Sequence, residues 1–422
     1  MNVGIYGSGS LATVISACLA DFGVPVSCVD EDQARIAAMA QGTAPFFEKN
    51  LQEIMRRNMR AGRLVYSTDL TVLARKKAVI FMAQDIPHYL EETALRIARL
   101  CQDETVLVIS TPVPVGTADR IVKKVHEQGL KVIVISQPMF LTAGCAVEDF
   151  HWPDRILLGS KDGEGVATMK QLYRSLVMRG VPVIVTNHST AELVREASTA
   201  FMATKISFIN EIATLCEHVN ADSVDLALAL GLDKRISPRC LQPGASLGGA
   251  FVESEMDSLA QLAQTKGVSL RVLNAARVVN ANLCERIVEK IAGTLHSLSG
   301  KQVGLLGLAF KPNTSSVAAS SSLILAKRLV QGGAQIRAYD PVAMPDAKLE
   351  FDLGVNYCDT PYMAAEGSDA LVVGTGWPEF RALDFHRIKR SLRQPVIVDT
   401  KNMLDPVRIR AMGFEYVGMG RA

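Results

Sequence analysis

A short apolar run, Asn2-Val3-Gly4-Ile5-Tyr6, leads into Gly7-Ser8-Gly9-Ser10-Leu11-Ala12, and the apolar residues from Ser10 to Gly23 then recur at helical spacing. A glycine-rich turn between a strand and a helix, in the pattern G-x-G-x-x-A, is built to cradle phosphate. Gly7 permits the tight turn, Gly9 lets the backbone approach a pyrophosphate at the helix N-terminus, and Ala12 is small enough for close helix–strand packing. Asp30 ends the next strand-like run, about 20 residues on, where a carboxylate accepts the hydroxyls of a ribose. An acid there favours NAD over NADP. The expected cofactor residues are therefore Gly7, Gly9, Ser10, Leu11, Ala12 and Asp30, and the chemistry they serve is hydride transfer.

These groups need a sheet to hold them. NVGIYG, PVSCVD, AVIFMA, TVLVIS, KVIVIS and RILLGS are aliphatic runs of strand length, interleaved with helical patterns in the N-terminal third. That alternation implies a parallel sheet covered on both faces. From about Thr190 the pattern turns helical, broken by the Gly/Pro/Ser-rich loop PGASLGGAF, and continues to about Leu295 with almost no strand signal. Strands return as KQVGLLGLAF, AQIRAYDP, ALVVGTG and PVIVDT. The expected fold class is α/β, with two Rossmann-like, doubly wound parallel-sheet domains joined by a helical block. The boundaries fall at 1–195, 196–295 and 296–422, with no short repeat or low-complexity tract.

Several further segments resemble the UDP-glucose/GDP-mannose dehydrogenase family over almost the whole chain. They include VPVGTADRI, GCAVEDFHWPDRILLGS, AELVREASTAFMATKISFINEIATLCE, GLDKRISP, PGASLGGAF, GLLGLAFKPNT and GFEYVGMGR. The resemblance implies an N-terminal NAD domain, a helical dimerisation core, a C-terminal UDP-binding domain and a homodimer acting on a UDP- or GDP-hexose. It also implies oxidation of a sugar C6 alcohol to a carboxylate with two NAD, through a thiohemiacetal and a thioester on a cysteine. That route needs a soft nucleophile, a base and donors for an oxyanion.

Set against the family pattern, this chain departs at most of the reacting positions. The loop GGSCFPKD reads Gly248-Gly249-Ala250-Phe251-Val252-Glu253-Ser254-Glu255, placing Phe251 at the nucleophile and Glu255 at the closing aspartate. The family's Lys and Asn, four apart on one helix face, become Arg195 and Thr199. Arginine keeps the cation but does not titrate usefully. N-P-E-F-L-x-E reads Gln137-Pro138-Met139-Phe140-Leu141-Thr142-Ala143, without either glutamate. Pro112 replaces a threonine, although Thr111 adjoins it, and TDDxR reads Thr314-Ser315-Ser316-Val317-Ala318. The V-G-T-P-like turn that meets the cofactor reads Gln84-Asp85-Ile86-Pro87, and the aromatic before the glycine pair is Leu247.

The retained positions are mostly binding groups. Phe140, Leu141, Arg235, Gly248, Gly249, Phe310 and Lys311 match substrate-binding positions, Arg235 being the arginine that reaches a sugar across the dimer. Arg381 and Lys401-Asn402 stand where the family has basic groups, and Lys205 is expected to be structural. Thr111, Arg195, Thr199 and Glu255 remain as catalytic candidates, with Arg195 serving by holding a water. The expected activity is a two-electron alcohol–carbonyl hydride transfer by a diverged oxidoreductase. The alternative is an inactive protein that binds NAD or a nucleotide sugar as partner or regulator of an active relative.

Composition narrows the remaining classes. Across 422 residues, 45 Lys+Arg against 43 Asp+Glu give a net charge of +2, without the basic excess of a nucleic-acid binder. No apolar run approaches the roughly 20 residues of a membrane span, and the chain opens on a strand rather than a signal peptide. A cytoplasmic setting is expected. Cys18, Cys28, Cys101, Cys145, Cys216, Cys240, Cys284 and Cys358 show neither CxxC nor metal-ligand spacing, and read as buried free thiols. Packing is also the expectation for Cys145 and Cys240, the two thiols near the altered motifs, and no metal is expected.

Overall fold

The computed structural model describes residues 1–74, 79–85, 89–101, 104–244, 248–351 and 354–421. The chain divides into two compact units, Met1–Ala197 and Ser198–Ala422. In the first, β1 (Val3–Tyr6), β2 (Val26–Val29), β3 (Leu64–Ser67), β4 (Val79–Met82), β5 (Val106–Ile109), β6 (Ile133–Ser136), β7 (Ile156–Gly159) and β8 (Val183–Thr186) form one sheet. Its order is β3-β2-β1-β4-β5-β6-β7-β8. The pairs are parallel except β6 with β7, which meet antiparallel at Ser136 and Gly159. The sheet is therefore parallel-rich rather than wholly parallel.

The central strands β1, β4 and β5 carry buried, largely apolar residues at every position because helices cover both faces. Val79 and Phe81 of β4, Val106 and Val108 of β5, and Val3 and Ile5 of β1 enter one core cluster. The alternate residues Ile80, Met82, Leu107 and Ile109 enter the cluster on the other face. Each such side chain contributes about 1.5–3 kcal/mol on burial. This packing fixes the strand ends that carry the first candidate site.

In the second unit, β9 (Gln302–Leu306), β10 (Gln335–Tyr339), β11 (Val355–Tyr357), β12 (Ala370–Val373), β13 (Val396–Asp399) and β14 (Glu415–Gly418) form a parallel sheet in the order β11-β10-β9-β12-β13-β14. Numbered within each domain, this sheet and the first six strands of the other share the order 3-2-1-4-5-6 of the doubly wound fold. The helices Ser223–Leu232, Ala250–Thr265 and Arg271–Leu295 belong to the same unit, and His188–Val219 runs across the boundary into it. Leu283, Ile287, Ile291 and Leu295, one helix turn apart, enter the core of the second sheet. That stripe explains why helical block and sheet form one compact body.

Candidate functional site

The N-terminal cradle is built at the end of β1. Gly7 has φ +127°, and a side chain there would stand 2.6 Å from the Ala83 carbonyl oxygen and 3.2 Å from the Ala12 Cβ. Only glycine fits. Gly9 precedes the helix Ser10–Asp21, which has no side-chain cap at Gly9 and no acid in its first turn. Asp30 follows β2 half-buried, accepting from Ser8 Oγ at 2.8 Å and from the Asp32 amide at 2.9 Å. Turn, helix N-terminus and carboxylate suit a dinucleotide: Gly7, Gly9, Ser10 and Leu11 for its pyrophosphate and Asp30 for a ribose.

One group at the cradle was not expected. The exposed Asp85 carboxylate accepts from the Ser10 amide at 3.1 Å, the Ser10 hydroxyl at 3.2 Å and, at longer range, the Leu11 amide at 3.5 Å. Ile86 and Pro87, which share its altered turn, lie outside the described residues. Thr111 is buried at the end of β5, where its hydroxyl donates to the Met82 carbonyl and accepts from the Gln84 amide at 2.9 Å. That hydroxyl ties two strand ends together. Leu141 packs against the first core, and Phe140 lies under the Arg155 guanidinium at 3.8 Å. Arg195 sits on the first-unit side of the long helix His188–Val219.

In the second unit, Thr199 and Glu255 come together from different helices. Both are buried, and the Thr199 hydroxyl donates to Glu255 Oε2 at 2.6 Å. Glu255 lies on the helix Ala250–Thr265, which begins at Gly249 (φ +103°). A side chain at Gly249 would meet the Phe310 ring at 3.4 Å, and the Gly249 amide donates to the Ala319 carbonyl. The Lys311 ammonium lies 5.8 Å from the centroid of that ring. Gly248, Gly249, Phe310 and Lys311 thus form one neighbourhood. Phe251 occupies the first turn of the same helix, with its side chain outside the described residues, as is Leu247 entirely.

Other positions are accounted for locally. Arg235 is almost fully exposed and pairs with Asp233 at 2.6 Å. Lys205 donates to the carbonyls of Ile236, Ser237 and Arg239, and so holds the DKRI loop. The eight cysteines are free, but burial is not uniform. Cys145 is exposed, contrary to the packing expectation, at the start of the helix Ala146–His151, whose Ala146, Val147 and Phe150 take the buried side. Cys240 is only half-buried, in a left-handed turn at φ +63°. Burial pushes Cys28 up to about 12 and Cys101 and Cys284 up to about 11, far from a reactive thiolate. Among the described residues no cluster of His, Cys, Asp or Glu could hold a metal ion, and no helix is long and apolar enough to cross a membrane.

Comparison with known proteins decides the family. Residues 1–177 match the NAD binding domain, 189–282 the central domain and 304–406 the UDP binding domain of the UDP-glucose/GDP-mannose dehydrogenase family. The chain belongs to this family. It is 36% identical over 436 residues to the UDP-glucose 6-dehydrogenase of Rhizobium meliloti, covering 100% of both chains. It is 34% identical to the UDP-glucose 6-dehydrogenase YwqF of Bacillus subtilis, over 100% of this chain and 98% of the relative. A UDP-glucose dehydrogenase of the archaeon Pyrobaculum islandicum superposes with a TM-score of 0.90 at 28% identity, covering 100% of this chain and 98% of that one. This is a family of NAD-dependent nucleotide-sugar dehydrogenases, and NAD is the cofactor of the N-terminal domain.

Within the family frame, the glycine-rich loop has a defined anchor. The Gly244 amide donates to Asn210 Oδ1 at 2.8 Å, and Lys401 Nζ donates to the Gly244 carbonyl at 3.2 Å. Burial pulls the Lys401 ammonium down to about 8, against the opposing charge of Asp399. Between pH 8 and the ordinary lysine value of 10.5, the unfolded chain keeps a proton that the folded chain has released, so native stability rises with pH. Denaturant titrations of wild type and Lys401→Met are expected to show wild type gaining stability relative to the variant as pH rises from 8 towards 10.5. A constant gap would mean that Lys401 is not held in this state.

Proposed function

We propose that this chain is a diverged, NAD-dependent nucleotide-sugar oxidoreductase that performs a two-electron alcohol–carbonyl conversion and does not complete the four-electron oxidation to a uronic acid. The observation that carries the reading is the buried Thr199–Glu255 pair at 2.6 Å. Two of the substituted family positions still form an acid–base unit, whereas Phe251 at the nucleophile position can form no covalent adduct. NAD, when bound, supplies the hydride acceptor. Glu255 takes the alcohol proton through the Thr199 hydroxyl, and Lys311, Phe310 and the Gly248–Gly249 backbone hold the nucleotide sugar. Arg195 keeps a positive charge on the long helix and orients a water.

The homodimer is supported by the same helix. Phe201, Phe208 and Leu215, seven residues apart and so on one face, are 66%, 49% and 56% exposed. The exposed Arg235, paired locally with Asp233, is the residue that would serve a second copy. A different observation, Asp85 on the phosphate cradle, favours a second reading: an inactive binder of NAD or nucleotide sugar acting on an active relative.

Product analysis separates the readings. With NAD and either UDP-glucose or GDP-mannose, plus hydroxylamine to trap a carbonyl, mass spectrometry is expected to find the oxime and no uronic acid. Phe251→Cys alone is expected to leave that product unchanged, because the glutamates and lysine of the family pattern are also missing. Uronic acid from the wild type would overturn the proposal, and nucleotide-sugar binding without any product would select the second reading.

A further inference from the structure

We propose that Asp85 is an internal anion that occupies the phosphate cradle and sets the affinity for the dinucleotide. Its carboxylate accepts from the Ser10 amide and hydroxyl at 3.1 and 3.2 Å, with the Leu11 amide at 3.5 Å, the kind of helix N-terminal donors that bind phosphate. Contact with the turn is so close that a methyl group added at Gly9 would overlap the carboxylate. The glycine that lets a pyrophosphate approach therefore admits a side chain of the same chain.

Delivery of Asp85 to this point follows from the sheet. β4 lies beside β1 at the switch in strand order, and the Thr111 hydroxyl holds the Gln84 amide at 2.9 Å just before Asp85. Only one residue separates that clamp from the helix N-terminus. The helix Ser10–Asp21 has no other acid or side-chain cap at its start, so the carboxylate satisfies amides that would otherwise face water. A pyrophosphate needs the same amides and carries the same sign of charge. Dinucleotide binding must therefore displace the exposed Asp85 side chain.

The test is calorimetric and needs no turnover, so it stands apart from the two-electron reading. NAD, ADP and adenosine are titrated into wild type, Asp85→Gly and Asp85→Asn, and each unliganded protein is melted. Asp85→Gly is expected to bind NAD and ADP at least about tenfold more tightly, since a lost cap and a removed like charge together act on this scale, and Asp85→Asn, which loses the charge but keeps an acceptor, about threefold more tightly. Adenosine, which lacks phosphate, is expected to bind all three proteins alike. The unliganded variants are expected to melt lower. Unchanged or weaker NAD binding in both variants would overturn the proposal, as would failure of all three proteins to bind NAD or ADP. An equal gain for adenosine would also overturn it, by showing general loosening of the site. A merely structural aspartate predicts the opposite sign: lower melting with weaker NAD binding.

Discussion

Glu255→Gln is expected to lower turnover by about 10²–10⁴-fold, the range supplied by a positioned acid–base group. Glu255 lies within the second unit, and its Oε2 is engaged by the Thr199 hydroxyl at 2.6 Å. A carboxylate so placed can take a proton that arrives through that hydroxyl, whereas an amide of the same shape cannot. Shape is conserved, so the dissociation constants for NAD and nucleotide sugar should change little, and the loss should fall on kcat. Thr199→Val is expected to follow in the same direction, with Thr199→Ser largely restored. Turnover of Glu255→Gln within threefold of wild type would place the proton acceptor elsewhere, and the check is steady-state kinetics with calorimetry on the same preparation.

The largest stability effect is expected at Asp340. This buried carboxylate follows β10 and gathers five donors: the Leu308 and Ala309 amides and Trp377 Nε1 on one oxygen, and the Val342 and Ala343 amides on the other. Removing it leaves those N–H groups buried without partners, which costs more than the bonds contributed. Asp340→Ala is expected to destabilise the second unit by about 3–5 kcal/mol. The two amides on one oxygen immediately precede Phe310 and Lys311, so nucleotide-sugar affinity should fall with stability. Urea denaturation and calorimetry check both, with Asp340→Asn intermediate. A loss below about 1 kcal/mol would mean that the five bonds are replaced by solvent.

The strands that the sequence patterns reveal and those they miss differ for one physical reason. β1, β4, β5, β9, β12 and β13 are buried on both faces and read as continuous aliphatic runs. β3, β8, β11 and β14 are the four sheet edges, and each has exposed positions that dilute the apolar pattern. The cradle at Gly7–Ala12 was legible because local spacing defines it. Asp85 was legible only as a departure from the family turn, because its partners lie 75 and 74 residues away. Asp340 likewise reads as one residue of a Tyr-Asp-Pro segment until folding brings Leu308 and Trp377 to it.

The most direct test counts electrons. Purified protein, NAD and a nucleotide sugar that it consumes are taken to completion, and NADH is measured against sugar lost. One NADH per sugar is the ratio expected if, as proposed, Phe251 stands at the nucleophile position and the Thr199–Glu255 pair takes the alcohol proton. Two NADH per sugar, with uronic acid formed, would contradict the account, because the second oxidation would then proceed without a thiol at that position.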